Sequence, residues 1–140
     1  MAEYTPIAGS VLMVAGVVDA EAVAGEPIGA GDLIYLDAAD SNRAKKAQCD
    51  GTPAEVAAVG VALNSAPAAG QPLKFAVQGE IALGAAIFSG AGRVVVVGTT
   101  AGKCMDFGDL TSGKRICIVG WSTATNKIKL AIHNTEQTSP

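Results

Sequence analysis

Hydrophobic and polar positions alternate with a period of two in several short stretches of this chain. Val59, Val61 and Leu63 are separated by Gly60 and Ala62, and Ile128, Leu130 and Ile132 by Lys129 and Ala131. That period puts one set of side chains on one face of a strand, as in a half-buried antiparallel sheet. Four further stretches enter the same alternation from a glycine. Gly31 leads into Leu33 to Leu36, Gly70 into Leu73 and Phe75, Gly92 into Val94 to Val97, and Gly113 into Ile116 and Ile118. Glycine accepts the positive φ of a tight turn, so each stretch reads as a turn opening a strand. The intervals between them are unequal, which is recurring turn chemistry and not a solenoid repeat.

Leu73, Phe75 and Val77 share a face, and Gly79 interrupts before Ile81 and Leu83, which predicts a bulge or a sharp bend. Residues 124–127 supply turn chemistry between the Ile116 and Ile128 strands, so these two should form a hairpin. Thr52, Pro53 and Glu55 fit a capping box with proline at the first helical position, enough for one short turn of helix. The expected fold is therefore all-β: a compact single-domain β-sandwich or small β-barrel with short hairpins, at most one short helical turn and an extended N-terminal arm. Residues 1–9 read as the arm, 10–134 as the β-rich domain and 135–140 as a C-terminal tail.

Composition narrows the function. Hydrophobic residues make up 49% of the chain while aromatics make up only 4%, so alanine, valine and glycine carry the apolar content. Small side chains suit compact β-structure, or packing against a neighbour, better than a deep ligand cavity. Ten Lys and Arg stand against thirteen Asp and Glu with no basic run, which argues against nucleic acid as a partner. Cys49, Cys104 and Cys117 are widely spaced, without a paired motif or nearby histidines, and read as free thiols of a reducing compartment. Glu3 stands where a leader would be basic, glycine breaks the apolar run of residues 11–18, and no run reaches the ~20 residues of a membrane span. Synthesis in a cytoplasm, away from membranes, is the expectation.

Candidate chemistry is sparse. Gly108, Gly113 and Lys114 have phosphate-loop spacing, but Arg115 stands where Ser or Thr should hold magnesium, and the residues that follow read as strand and not as helix. His133, the only histidine, lies near the end of the last strand with no positioned partner evident. Asp32, Asp37, Asp40, Asp50 and Glu26 lack the spacing of a calcium loop, and Arg43, Lys45 and Lys46 sit alongside as counter-charges in what reads as a solvated loop region. No catalytic, cofactor-binding or metal residue is assigned, and an enzyme is not expected. Trp121 is either a core anchor or an interface hot spot.

With these residues laid out, the chain resembles the small capsid decoration, or cement, proteins of tailed bacteriophages. The resemblance is carried by AGEPIGAGDLIYLD (24–37), VGVALN (59–64), GQPL (70–73) and IVGWST (118–123), and spans residues 10–133. It implies a non-enzymatic virion protein on the capsid exterior, often trimeric, that stabilises the head by bridging major capsid protein subunits and is made in the bacterial host cytoplasm. Within that picture Tyr4, Thr5, Pro6 and Ile7 are the expected capsid-binding residues, added as an arm to a capsid sheet edge. The alternatives are a head-fibre base or tail-associated subunit, and a small ligand- or carbohydrate-binding β-module.

Overall fold

Ten strands make a single antiparallel sheet in the computed structural model, which describes residues 3–84 and 87–139. In chain order they are β1 (Glu3–Tyr4), β2 (Leu12–Val23), β3 (Leu33–Asp37), β4 (Arg43–Lys46), β5 (Gly60–Ala62), β6 (Pro72–Ala82), β7 (Val94–Val97), β8 (Cys104–Asp106), β9 (Arg115–Ala124) and β10 (Lys127–Thr138). The hydrogen-bonded path runs β1-β8-β7-β9-β10-β6-β5-β3-β4, and β2 pairs with β6 off that path. The all-β expectation holds in the form of one sheet whose path does not close into a barrel.

Instead of closing, the sheet rolls. Right-handed twist accumulated over ten strands carries its ends towards each other. The Leu33 amide bonds to the Gly102 carbonyl and the Cys49 amide to the Gly98 carbonyl, each at 2.9 Å, so the β3 region meets the β7–β8 hairpin without forming a ladder. The main core fills the roll with side chains from both ends: Tyr4, Leu33, Tyr35, Ile81, Val95, Val97, Val119 and Ile128. A second cluster, including Ile28, Ile34, Ala62, Leu73 and Phe75, lies on the opposite face, which is why Leu33 and Ile34 are both buried although they point in opposite directions.

The turn glycines do what their type allows. Gly31, Gly70, Gly92 and Gly113 have φ of +93°, +91°, +77° and +81°, and each precedes a strand: β3, β6, β7 and β9. β9 and β10 form the expected hairpin, with Ala124 opposite Lys127. The helical turn is α1 (Pro53–Val56), capped reciprocally by Thr52 and Glu55. Gly79 does not interrupt β6. The extra residue is in β2, where three steps from Ala15 to Val18 oppose two from Glu80 to Gln78. Gly79 itself has φ +106°, and a Cβ there would lie 2.6 Å from the Gly16 carbonyl oxygen, so the bulge and the glycine fit together.

The sheet also extends past both expected domain limits. Glu3 and Tyr4 pair with Met105 and Cys104, and β10 continues beyond residue 134 to Thr138. Two strands carry no alternation readable in the sequence: β8 is three buried residues, and β4 is mostly basic.

Candidate protein-binding surface

The four residues expected to form a binding arm sit in different environments. Tyr4 is only 6% exposed; its ring meets Phe88 edge-on at 4.8 Å, and its hydroxyl donates to Asp106 Oδ2 at 3.4 Å. Pro6 is half-buried close to Gly31, Thr5 is exposed, and Ile7 keeps an exposed side chain while its amide donates to the Leu83 carbonyl at 2.8 Å. Residues 3–7 therefore lie against the body, with Thr5 and Ile7 facing solvent.

Beyond Tyr4, the buried Asp106 is the hub of a small network that reaches the surface at Arg93. It accepts from Tyr4, from the Arg93 side chain and from the Gly108 amide at 2.9 Å. Burial by itself raises its pKa, but the Gly108 N–H and the Arg93 guanidinium outweigh that and hold the carboxyl below its ordinary range. This network ties β1, β7 and β8 together at one end of the sheet.

Large apolar side chains left in water lie in two places. The first is β2, with Leu12 64% and Met13 60% exposed and Val14, Val18 and Val23 each close to half. The cause is topological: β2 pairs along one side only, with β6, and its first residues, 12–16, are exposed on both faces. Ile7 continues this strip, because it bonds to Leu83, the neighbour of the Ala82 that pairs with Leu12.

The second place is the outer face of the sheet. The registers align Val94 with Trp121, Trp121 with Lys129, Lys129 with Glu80, and Glu80 with Ala15. Cross-strand partners share a face, so these five residues form one row about 19 Å long at ~4.8 Å per strand. Val94, Trp121 and Phe107 are the large apolar groups of its far end, with Trp121 44% exposed. The structure thus resolves the sequence alternatives for Trp121 against a core anchor. A partly exposed Trp and Phe beside an arginine is the composition of an interface centre.

The remaining expected positions are quieter. His133 is exposed in β10 opposite Ile118, and the loop from Phe107 to Lys114 leads into strand β9, not a helix. Lys45 bridges Asp37 at 2.9 Å and Asp40 at 3.4 Å, Lys103 meets Asp32 and Lys114 meets Asp50, so these four aspartates have counter-charges, while Glu26 accepts from the Lys46 amide at 2.7 Å. Among the described residues no group of three His, Cys, Asp or Glu could hold a metal ion, and no helix is long and apolar enough to cross a membrane. A concavity of about 370 Å³ opens between α1 and the ends of β9 and β10, lined by Val56, Arg115, Asn134 and Glu136 among others.

The family model described as phage cement protein matches residues 7–78, just over half of the chain. That segment takes in β2 to β5 and most of β6; Val94, Phe107 and Trp121 lie beyond it. No curated protein matches the chain.

Proposed function

The chain belongs to the phage cement protein family, and from that membership we propose that it is a virion subunit on the outside of the head that ties neighbouring major capsid protein subunits together as a homo-trimer. The observation that carries the reading is the exposed apolar group of Val94, Trp121 and the neighbouring Phe107 at one end of the outer-face row. Exposed apolar patches rimmed by polar groups are used to bind protein surfaces. Arg93, Lys129 and Glu80 supply such a rim, where polar contacts set register.

The mechanism is additive association. A copy that spans two capsid subunits must be detached from at least one of them before the subunits separate, so its binding free energy adds to the barrier against shell rupture. A standard interface buries about 1,600 Å² in total, and many copies per head multiply the restraint. No bond is made or broken; the activity is the free energy of association.

The test is to mix the purified protein with undecorated heads and count bound copies by image reconstruction. Copies repeated over the lattice at contacts between capsid subunits, and heads that rupture at higher temperature once decorated, are the expected result. Heads that bind no protein, or binding confined to one vertex as a fibre base would show, overturns it.

A further inference from the structure

Apolar side chains fill the roll of the sheet except at one end. Cys117 and Val119 of β9 are fully buried in the main core, and Arg115, two residues before Cys117, lies on the same face. Asn134 of β10 is the register partner of Cys117, so it too faces inward. An arginine and an asparagine thus occupy positions where the alternation calls for apolar residues. Opposite them stands α1, whose Val56 is buried in the same core. The concavity of about 370 Å³ lies between, with Pro53, Ala54 and Val56 as an apolar wall and the ends of β9 and β10 as a polar one. Sites that enclose a ligand span about 300–1,000 Å³, and this one falls within that range.

The backbone of the polar wall is irregular in a way that serves the cavity. From Asn134 to Gln137 β10 takes three steps while β9 takes one, from Cys117 to Ile116, so two residues are extra. Glu136 has φ +58°, in the left-handed region that non-glycine residues rarely adopt. The bulge is held by its own side chains. Asn134 Oδ1 accepts from the Glu136 amide and Thr135 Oγ1 from the Gln137 amide, each at 3.2 Å, while the Thr135 hydroxyl donates to the Ile116 carbonyl at 2.7 Å. Consecutive residues of a regular strand face opposite sides, yet Glu136 and Gln137 both line the cavity. Bulges re-aim side chains in this manner, and strained backbone is concentrated at functional sites.

The polar wall also lacks its counter-charge. Lys45, Arg93, Lys103 and Lys114 each reach a carboxylate, whereas among the described residues neither Arg115 nor Glu136 is in an ion pair. Guanidinium and side-chain amide N–H groups, as on Arg115, Asn134 and Gln137, are donors suited to a carboxylate. The exposed Glu136 opposes a multiply charged anion such as phosphate, and the α1 wall needs carbon to cover it.

We propose that this concavity takes an Asp or Glu side chain from an extended segment of a capsid subunit, with Arg115 as its cation and the α1 wall against the segment's aliphatic carbons. The site is separate from the Trp121 face, and it rests on the cement reading only for the identity of the partner. A free acid would not be retained, since an ion pair half open to water changes affinity about five-fold at most. Delivered by a larger docked surface, the same carboxylate is enclosed, and its bond to Arg115 contributes about ten-fold or more.

Titration of undecorated heads with two variants tests this. Arg115→Gln leaves the backbone bond from the residue 115 amide to the Cys49 carbonyl in place. Its half-saturation should rise about 10-fold at low salt, and the gap to wild type should narrow as salt is added. Glu136→Gln removes a like charge beside the incoming carboxylate and should bind heads more tightly than wild type. Thermal midpoints check the fold of each; should Arg115→Gln unfold, Glu136→Gln decides. N-acetyl-glutamate N-methylamide, added to the free protein at millimolar concentration, should shift the amide resonances of Arg115 and Asn134, and have no such effect on Arg115→Gln. Wild-type half-saturation for a folded Arg115→Gln overturns the inference, as does Glu136→Gln that binds no better than wild type. Saturation by the free probe at micromolar concentration also overturns it, in favour of a small-molecule site. If heads bind neither wild type nor variants, the cement reading falls, and the probe shifts alone decide whether the carboxylate site stands.

Discussion

Replacing Trp121 by alanine tests the outer face most directly. A tryptophan buries about 150–250 Å² when fully enclosed. With 44% of it still exposed, about 90 Å² remains to be buried by a partner. At ~25 cal/mol per Å² that is about 2 kcal/mol for each contact. Half-saturation of undecorated heads should therefore require about 30-fold more Trp121→Ala protein, and more if several copies of one assembly bind together. The assay is a titration of heads with purified protein, with bound copies counted after the heads are pelleted. Because the other part of the ring packs within the chain, the thermal midpoint of the variant is measured alongside. Phe107→Ser, on the exposed turn after β8, should weaken binding in the same direction with less effect on folding. Wild-type half-saturation for both variants would refute the assignment of this face.

Three further outcomes follow from the geometry. Gly79→Ala places a Cβ 2.6 Å from the Gly16 carbonyl oxygen at a φ of +106°, and should lower the free energy of unfolding in urea by at least ~2 kcal/mol. Asp37, Glu55 and Asp106 all have pKa values below their ordinary ones, Asp37 and Glu55 through hydrogen bonds led by Lys45 and Gln48 respectively. Groups depressed in the folded state stabilise it above their unfolded pKa and lose that contribution as pH falls through the folded one. The thermal midpoint should thus drop below pH ~4, and less steeply in Asp106→Asn. Burial pushes the Cys49 thiol up to about 11 and the Cys104 thiol to about 12, and raises Cys117 as well, so a thiol reagent at mildly alkaline pH should label none of them until denaturant is added.

Much of the fold was legible wherever the cause is local. The turn glycines announced β3, β6, β7 and β9 because positive φ is a property of the residue itself, and the Thr52–Glu55 box announced α1 for the same reason. What stayed hidden depends on distant partners. β4 holds its place through the ladder with β3, although basic residues have no taste for strands, and β8 is too short to show a period. Tyr4 resembles a residue of a loose arm until Phe88 and Asp106 are placed around it. The candidate surface was less visible still. The apolar run of residues 11–18 is indistinguishable in sequence from a core strand, because its exposure comes from having β6 on one side only. Trp121 could be assigned to neither core nor surface before its row on the outer face was known, and Val94 and Phe107 join it only through the β7 and β8 registers.

The position of the first strand bears on how the molecule is made. Tyr4 finds Asp106 across 102 residues of sequence. At ~10 residues per second a ribosome needs roughly 10 s to supply that partner. Until then the nascent chain holds an open seam, and a copy whose translation stops before β8 never seals it. Closure of that end of the sheet thus waits on residues more than a hundred positions downstream, and its folding is post-translational in order even where the strands between form earlier.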